Sequence, residues 1–218
     1  MMKIIPIKIT LLSHFFNYCR LTNAGAITSD FIGDIALTYA LNRVLKIENF
    51  YLEFHQQPEY HELRKLPYFF TVAKPLVYEF TPVYIRNTLF NVDGYPDLNA
   101  IDQSGRTPFK NFFKVQGIRA ESIFLSYLLC REDFRVHLPM TIRLGTGRES
   151  LTLLEETESD DTDDVWLNVY SLKYIFGNFE KAVQLIPFYQ FEFRLQNYLL
   201  WKGVSVVQLE SLFKDIYE

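Results

Sequence analysis

The sequence predicts an α+β protein built on an antiparallel sheet. Three observations carry this reading: one strongly periodic helical stretch early in the chain, a long succession of β-branched and aromatic runs punctuated by Gly, Pro and Asp, and a short amphipathic helix at the C-terminus. With 218 residues the chain can bury a substantial core, and it reads as a single domain over 1–218 with inserted hairpins. Its 49% hydrophobic and 22% charged residues are those of a soluble globular protein, and 20 Phe and 14 Tyr make it unusually aromatic.

The elements follow in order. Residues 3–12, KIIPIKITLL, read as a first strand that Pro6 makes irregular or confines to an edge. A loop runs to about Thr28. Next, TSDFIGDIALTYALNRVL offers Ser29 or Asp30 as N-cap, with Ile32, Ile35, Ala36, Tyr39, Ala40 and Val44 at helical spacing, an apolar face to pack on a sheet. Residues 66–92 hold the strand-like runs YFFTVA and VYEFTPVYIRNTLFNV, interrupted by Pro75 and Pro82. The Gly-, Pro- and Asp-rich DGYPDLNAIDQSGRTPFKN is a long irregular segment. FFKVQGIRAESIFLSYLLC reads as two strands around Gly117, and FRVHLPMTIRLG as another pair. Strands at 151–154 and 165–170 flank the acid-dense EETESDDTDD, residues 155–164, expected to be a solvated, flexible loop that repels polyanions. Residues 187–201 alternate as one long strand, and VSVVQLESLFKDIYE closes as a helix.

The net charge of −4 conceals an asymmetry. Residues 1–148 hold 17 Lys+Arg against 13 Asp+Glu, whereas residues 149–218 hold 5 against 13, so a polyanion would meet the front of the chain. Cys19 and Cys130 are too few for a disulfide framework and lack metal spacing, which points to a reducing compartment. The N-terminus is broken by Lys3, Pro6 and Lys8 and is no signal peptide; no apolar run is long enough to span a membrane, so the cytoplasm is expected.

The run Arg143-Leu-Gly-Thr-Gly-Arg148 invites comparison with a phosphate loop. It has two glycines, no following Lys and a β-rich continuation, so it fits neither a Walker loop nor a dinucleotide fingerprint. A tight turn with Gly145 and Gly147 at positive φ remains, and Arg143 and Arg148 beside it could hold a polynucleotide phosphate. His14, His55, His61 and His137 have no metal-ligand spacing, so no metal or other cofactor is expected. One of them could serve a metal-free ribonuclease as general acid or base. No G-x-S-x-G elbow occurs, and the clustered carboxylates lie where no fixed geometry is expected. What remains is interleaved rings and cations: Tyr95, Arg106, Phe109, Lys110, Phe112, Phe113, Lys114 and Arg119, rejoined by Arg143 and Arg148. Single-stranded RNA needs such a surface, since phosphates demand charge and splayed bases a flat face. Some of these aromatics are expected to face the core instead.

Taken together, three stretches resemble the Csc-one family, the small Cascade subunit of type I-D CRISPR systems. They are Ile32-Gly-Asp-Ile-Ala-Leu-Thr-Tyr-Ala-Leu41, similar to I-G-N-Y-A-L-x-Y-A-L; Phe80-Thr81-Pro82 with Phe90-Asn91; and Leu138-Pro139 followed by Ile142-Arg143-Leu144-Gly145. Asp34 and Ile35 replace the family's Asn and Tyr, and Thr146 stands where a basic residue is usual, with Arg148 as a substitute. The resemblance implies a RAMP protein with a ferredoxin-like, RRM-related βαββαβ core and β-rich elaborations. It also implies a non-catalytic subunit that grips the 5′ handle of crRNA, links the large subunit to the first backbone subunit, and lies near target DNA at the PAM. Guide cutting would fall to a separate enzyme. The alternative is a metal-free endoribonuclease that processes the repeat RNA, with His14 or His137 in the chemistry.

Overall fold

The computed structural model describes residues 2–17, 20–22, 25–50, 60–87, 112–145, 150–158, 164–185, 190–195 and 198–217. β1 (Met2–Leu11) lies at the middle of the largest sheet. Its alternation places Ile5, Ile7, Ile9 and Leu11 in the core, with Lys8 and Thr10 half-buried between them. Pro6 therefore does not mark an edge. Its carbonyl accepts the Thr157 N–H (3.1 Å), and β1 pairs with its neighbour on that side only from Ile7 onward, so the missing N–H falls where the neighbouring strand ends.

Two short strands, β2 (Arg20–Thr22) and β3 (Gly25–Ile27), precede α1 (Asp34–Leu45). The expected N-cap is displaced: Gly33 caps α1 without a side-chain bond, and the Ser29 hydroxyl instead donates to the Phe31 carbonyl. The buried face is also rotated from the expected one. Ile35, Leu37, Ala40 and Leu41 are buried, whereas Ala36 and Val44 are exposed, because Asp34, Thr38 and Asn42 are drawn inward by hydrogen bonds. Thr38 Oγ1 donates to the Asp34 carbonyl (2.8 Å) and accepts the Phe70 N–H (3.2 Å), tying the helix to β4 (Tyr68–Phe70). A 3₁₀ helix, Tyr60–Lys65, precedes β4. β5 (Lys74–Val77) and β6 (Tyr84–Asn87) follow.

β7 (Phe112–Gln116) and β8 (Ile123–Arg131) are the two strands expected around Gly117. β8 is buried from Phe124 to Cys130, covered on both faces, as its unbroken apolar run requires. The expected strand pair at 134–144 is one strand only, β9 (Met140–Arg143), preceded by irregular chain with a cis Leu138–Pro139 bond. β10 (Leu151–Glu156) pairs antiparallel with both β9 and β1. The sheet thus runs β4-β8-β1-β10-β9, with β5 also on β8.

Both ends of the acidic insert have defined partners. Glu155 and Glu156 belong to β10, and Glu155 pairs with Lys8 (3.1 Å). Asp164 accepts from Lys74 Nζ (3.3 Å), Trp166 Nε1 (3.1 Å) and the Gly203 N–H (3.1 Å), because a buried lysine needs a carboxylate partner. Residues 159–163 lie outside the described residues.

β11 (Val165–Asn168) stops short of the expected end, since 171–176 coil as a π-helix before α2 (Phe179–Leu185). The long strand expected at 187–201 is a hairpin, β12 (Gln190–Leu195) and β13 (Tyr198–Val204), in a small sheet ordered β11-β13-β12. The chain closes with α3 (Val206–Tyr217), capped by Ser205: its Oγ accepts the Gln208 N–H while its own N–H donates to Gln208 Oε1.

A third sheet runs β2-β3-β7-β6, and β3–β7 is parallel, an exception to the antiparallel expectation. Around the large sheet, Tyr68 reaches α1 through its hydroxyl, while Phe69, on the opposite face of the strand, packs edge-on to Phe176 (4.7 Å), which packs on Phe213 of α3 (5.1 Å). The observed class is mixed helix and antiparallel sheet. Where a βαββαβ core would carry its second helix, between β8 and β10, the described residues contain β9 and no helix.

Candidate nucleic-acid interface

Past the end of β1 the chain crosses between two glycines. Phe15 bridges Ile118 through a reciprocal pair of backbone bonds (2.9 and 2.8 Å), and Ile118 bridges Phe80 on its other side. Gly117, next in line, is held by Thr81: the Thr81 N–H donates to the Gly117 carbonyl (2.8 Å) and the Gly117 N–H to Thr81 Oγ1 (3.0 Å). A Cβ on Gly117 would stand 2.6 Å from the Phe15 carbonyl and 2.6 Å from the Phe16 ring, so the absent side chain is where that ring lies. On the other flank, Gly145 has φ +82°, and a Cβ there would meet the Phe16 carbonyl at 2.6 Å and the Phe15 ring at 3.0 Å. At the end of β9 the Leu144 N–H donates to the Ser150 carbonyl (3.1 Å), and Gly145 needs to be glycine both for its dihedral and for the approach of Phe16; Gly147, the other glycine of the expected tight turn, lies outside the described residues.

This clamp sets an exposed surface. Phe15–Ile118–Phe80 form one row of neighbours, so His14, Arg119 and Glu79 form the next. His14 Nδ1 accepts the Ala120 N–H (3.0 Å), and Arg119 is ion-paired with Glu79. The Phe16 ring lies 6.3 Å from that of Tyr84, tilted by 57°. Arg143, Leu151 and Leu12 make a further exposed row across β9, β10 and the end of β1, since Arg143 registers with Leu151 and the Leu12 N–H donates to the Leu151 carbonyl (2.9 Å).

Of the predicted contacts, Gly145 lies against Phe15 and Phe16, Arg143 is exposed in the row with Leu151, and Arg119 is exposed in the row with His14. Lys114 is exposed on β7, where it registers with Ile85 and Gly25, while Arg119 lies beyond the end of that strand, past Gly117. Tyr95, Arg106, Phe109, Lys110, Gly147 and Arg148 lie outside the described residues, as do the side chains of Phe112 and Phe113. The charge is also more balanced than the chain's front half suggested, because Arg119 has Glu79 and Lys8 has Glu155. His14, Phe16, Thr81 and Gly117 were missed as a group; the Phe80-Thr-Pro82 motif was their only sequence signal. His137 is exposed in the segment before β9. Among the described residues no three His, Cys, Asp or Glu are grouped to hold a metal, and no helix is long and apolar enough to cross a membrane.

The other conspicuous group is structural. Asp34, fully buried at the start of α1, accepts from Ser171 Oγ (2.5 Å) and Asn168 Nδ2 (3.2 Å), joining the helix to the β11 turn. Burial raises its pKa from 3.8 to about 6, opposed by those hydrogen bonds. It lines a small, largely apolar cavity with Phe69, Leu129 and Phe213, remote from any exposed cation row.

A family model for the type I-D CRISPR-associated protein Cas5/Csc1 matches residues 2–207. The chain belongs to the Cas5/Csc1 family. The match spans β1, the glycine clamp and the Asp34 network alike, and it makes the protein a subunit of a CRISPR effector complex. No curated protein matches it. Similar solved structures include the Type III-B Cmr-beta complex bound to cognate target RNA and AMPPnP, at 8% identity over 92% of this chain and 84% of that chain, TM-score 0.44. Cmr4 (Cas7) of Pyrococcus furiosus follows at 10% identity, 72% and 100% coverage, TM-score 0.34. A CRISPR RNA-guided surveillance complex gives 10% identity, 99% and 100% coverage, TM-score 0.38. With TM-scores this low, the assignment of this Cas5/Csc1 protein rests on its family match.

Proposed function

We propose that this Cas5/Csc1 protein is a non-catalytic subunit of a type I-D Cascade that grips the 5′ handle of crRNA and joins the large subunit to the first backbone subunit, near the PAM side of target DNA. The observation that carries the reading is the convergence of Gly117, Gly145 and Thr81 on Phe15–Phe16, which sets His14, Tyr84, Arg119 and Arg143 around one exposed surface. Single-stranded RNA is met by such surfaces, with cations for phosphates and rings for bases. The same reading treats β1, α1, β4, β8 and β10 as a ferredoxin-like RAMP core in which the described residues of the usual connection contain no second helix.

The test is guide retention. Complexes assembled with Arg143→Ala or Arg148→Ala should lose handle RNA several-fold more readily, and the dependence of log affinity on log salt should become shallower by about one contact for each. Unchanged assembly and guide retention in both variants would overturn the assignment of this turn. Specific cleavage of repeat RNA in EDTA, abolished by His14→Ala or His137→Ala, would replace the binding role with the endoribonuclease.

A further inference from the structure

Resting on the RNA-binding reading, we infer that His14 reads a nucleobase, donating from Nε2–H to an acceptor on the edge of a base that lies against the Phe16 and Tyr84 rings. A ring nitrogen that accepts a hydrogen bond carries no proton. Because Nδ1 accepts the Ala120 N–H at 3.0 Å, the neutral ring keeps its single proton on Nε2. His14 is exposed, and Nε2–H has no protein acceptor among the described residues. The imidazole is thus fixed in orientation by backbone and presents one neutral donor outward.

The surroundings favour a base over a phosphate. Phosphate oxygens are held best by charged donors. Here the neighbouring cation, Arg119, is already paired with Glu79, and that carboxylate, in the same row as His14, repels an anion. Two residues along, at roughly 7 Å for extended chain, the Phe16 ring lies across Gly117 and near Tyr84, whose side is 43% exposed. An aromatic ring face, with a second ring tilted beside it, next to one fixed neutral donor suits a stacked base whose carbonyl oxygen or ring nitrogen faces the histidine. Arg143, beyond Leu12 and Leu151, is placed to serve the backbone of the same strand. A neutral donor cannot bind a protonated edge, so the site selects for bases that present an acceptor there.

The experiment is a binding titration of the purified full chain with fluorescein-labelled 12-nucleotide RNAs of single-base composition (A, C, G or U) and with an abasic ribose-phosphate oligomer of the same length. His14→Phe keeps the ring and removes the donor; thermal melting establishes that the variant is folded, and His14→Gln restores an N–H. The expected result is a base preference in the natural chain that His14→Phe flattens by lowering affinity for the preferred RNA about three- to tenfold, the size of one neutral hydrogen bond. Affinity for the abasic oligomer stays constant, and His14→Gln recovers part of the loss. Equal losses on the base-bearing and abasic oligomers would overturn the inference in favour of a phosphate contact. Unchanged RNA binding in His14→Phe, with Arg143→Ala still weakened, would overturn it while leaving the RNA-binding reading intact. If His14→Phe left RNA binding unchanged but impaired assembly with protein subunits, the residue would be a protein contact. Absence of binding to every oligomer by the natural chain would remove the RNA-binding reading itself.

Discussion

Replacing Gly145 by alanine gives a test of the clamp with its own internal control. Three described glycines have positive φ: Gly145 at +82°, Gly177 at +70° and Gly203 at +76°. Moving an L-residue into that region costs about 1 kcal/mol for each. They differ in what a methyl group would meet. Around Gly177 and Gly203 nothing lies within 4 Å, whereas at Gly145 the Cβ would sit 2.6 Å from the Phe16 carbonyl oxygen, a backbone atom that cannot rotate away. Phe16 is itself fixed, because Phe15 is bonded to Ile118 on both its N–H and carbonyl. Relieving the contact means shifting packed backbone, an overpacking cost of about 1–3 kcal/mol. Gly145→Ala should therefore destabilise by about 2–4 kcal/mol and Gly177→Ala by about 1 kcal/mol. For a chain of this length the difference of about 1–3 kcal/mol corresponds to a Tm lower by about 2–7 °C in Gly145→Ala. Thermal melts of both variants, with urea titrations for the free energies, make the comparison. Equal destabilisation of the two would refute the argument that Gly145 is required by the approach of Phe16 as well as by its dihedral.

Asp34 predicts a pH signature. Its pKa is about 6 in the fold against 3.8 for an ordinary aspartate, so the folded state holds the proton more tightly and stability from this group falls as pH rises from about 4 to 6, by about 3 kcal/mol in all. In Asp34→Asn the slope of unfolding free energy against pH in that window should become less negative; an unchanged slope in urea titrations from pH 4 to 7 would contradict the burial argument. At α3, Ser205→Ala removes the acceptor for the Gln208 N–H and should cost about 1 kcal/mol, with Gln208→Ala adding less than its single effect because the two side chains act reciprocally. Additive losses in the double variant would show that the box is not formed.

How much was legible depended on range. β1, β7, β8 and β10 were readable because alternation or an unbroken apolar run is a local signal, and the early helix because its spacing is periodic. The orientation of that helix was not readable. Asp34, Thr38 and Asn42 look like solvent residues until their partners are known: Ser171 and Asn168 lie more than 130 positions away, and Phe70 thirty-two positions from Thr38. The hairpin at 190–204 reads in the sequence as one strand because no Gly or Pro between Leu195 and Tyr198 announces a turn. At the site, the glycine turn and Arg143 were visible in RLGTGR. His14 was only one histidine among four, since the amide that fixes its tautomer belongs to Ala120.

By itself, then, the sequence determined the mixed α+β class, the family resemblance and the glycine requirement after Leu144, because these depend on pattern and backbone freedom at neighbouring positions. Only the tertiary structure decided that Pro6 lies in a central strand, that Arg119 pairs with Glu79, and that Gly117, Thr81 and Gly145 close on Phe15–Phe16. Those outcomes depend on which strand comes to lie beside which, and on backbone bonds between segments from Phe15 to Gly145, separations over which local propensity has no influence.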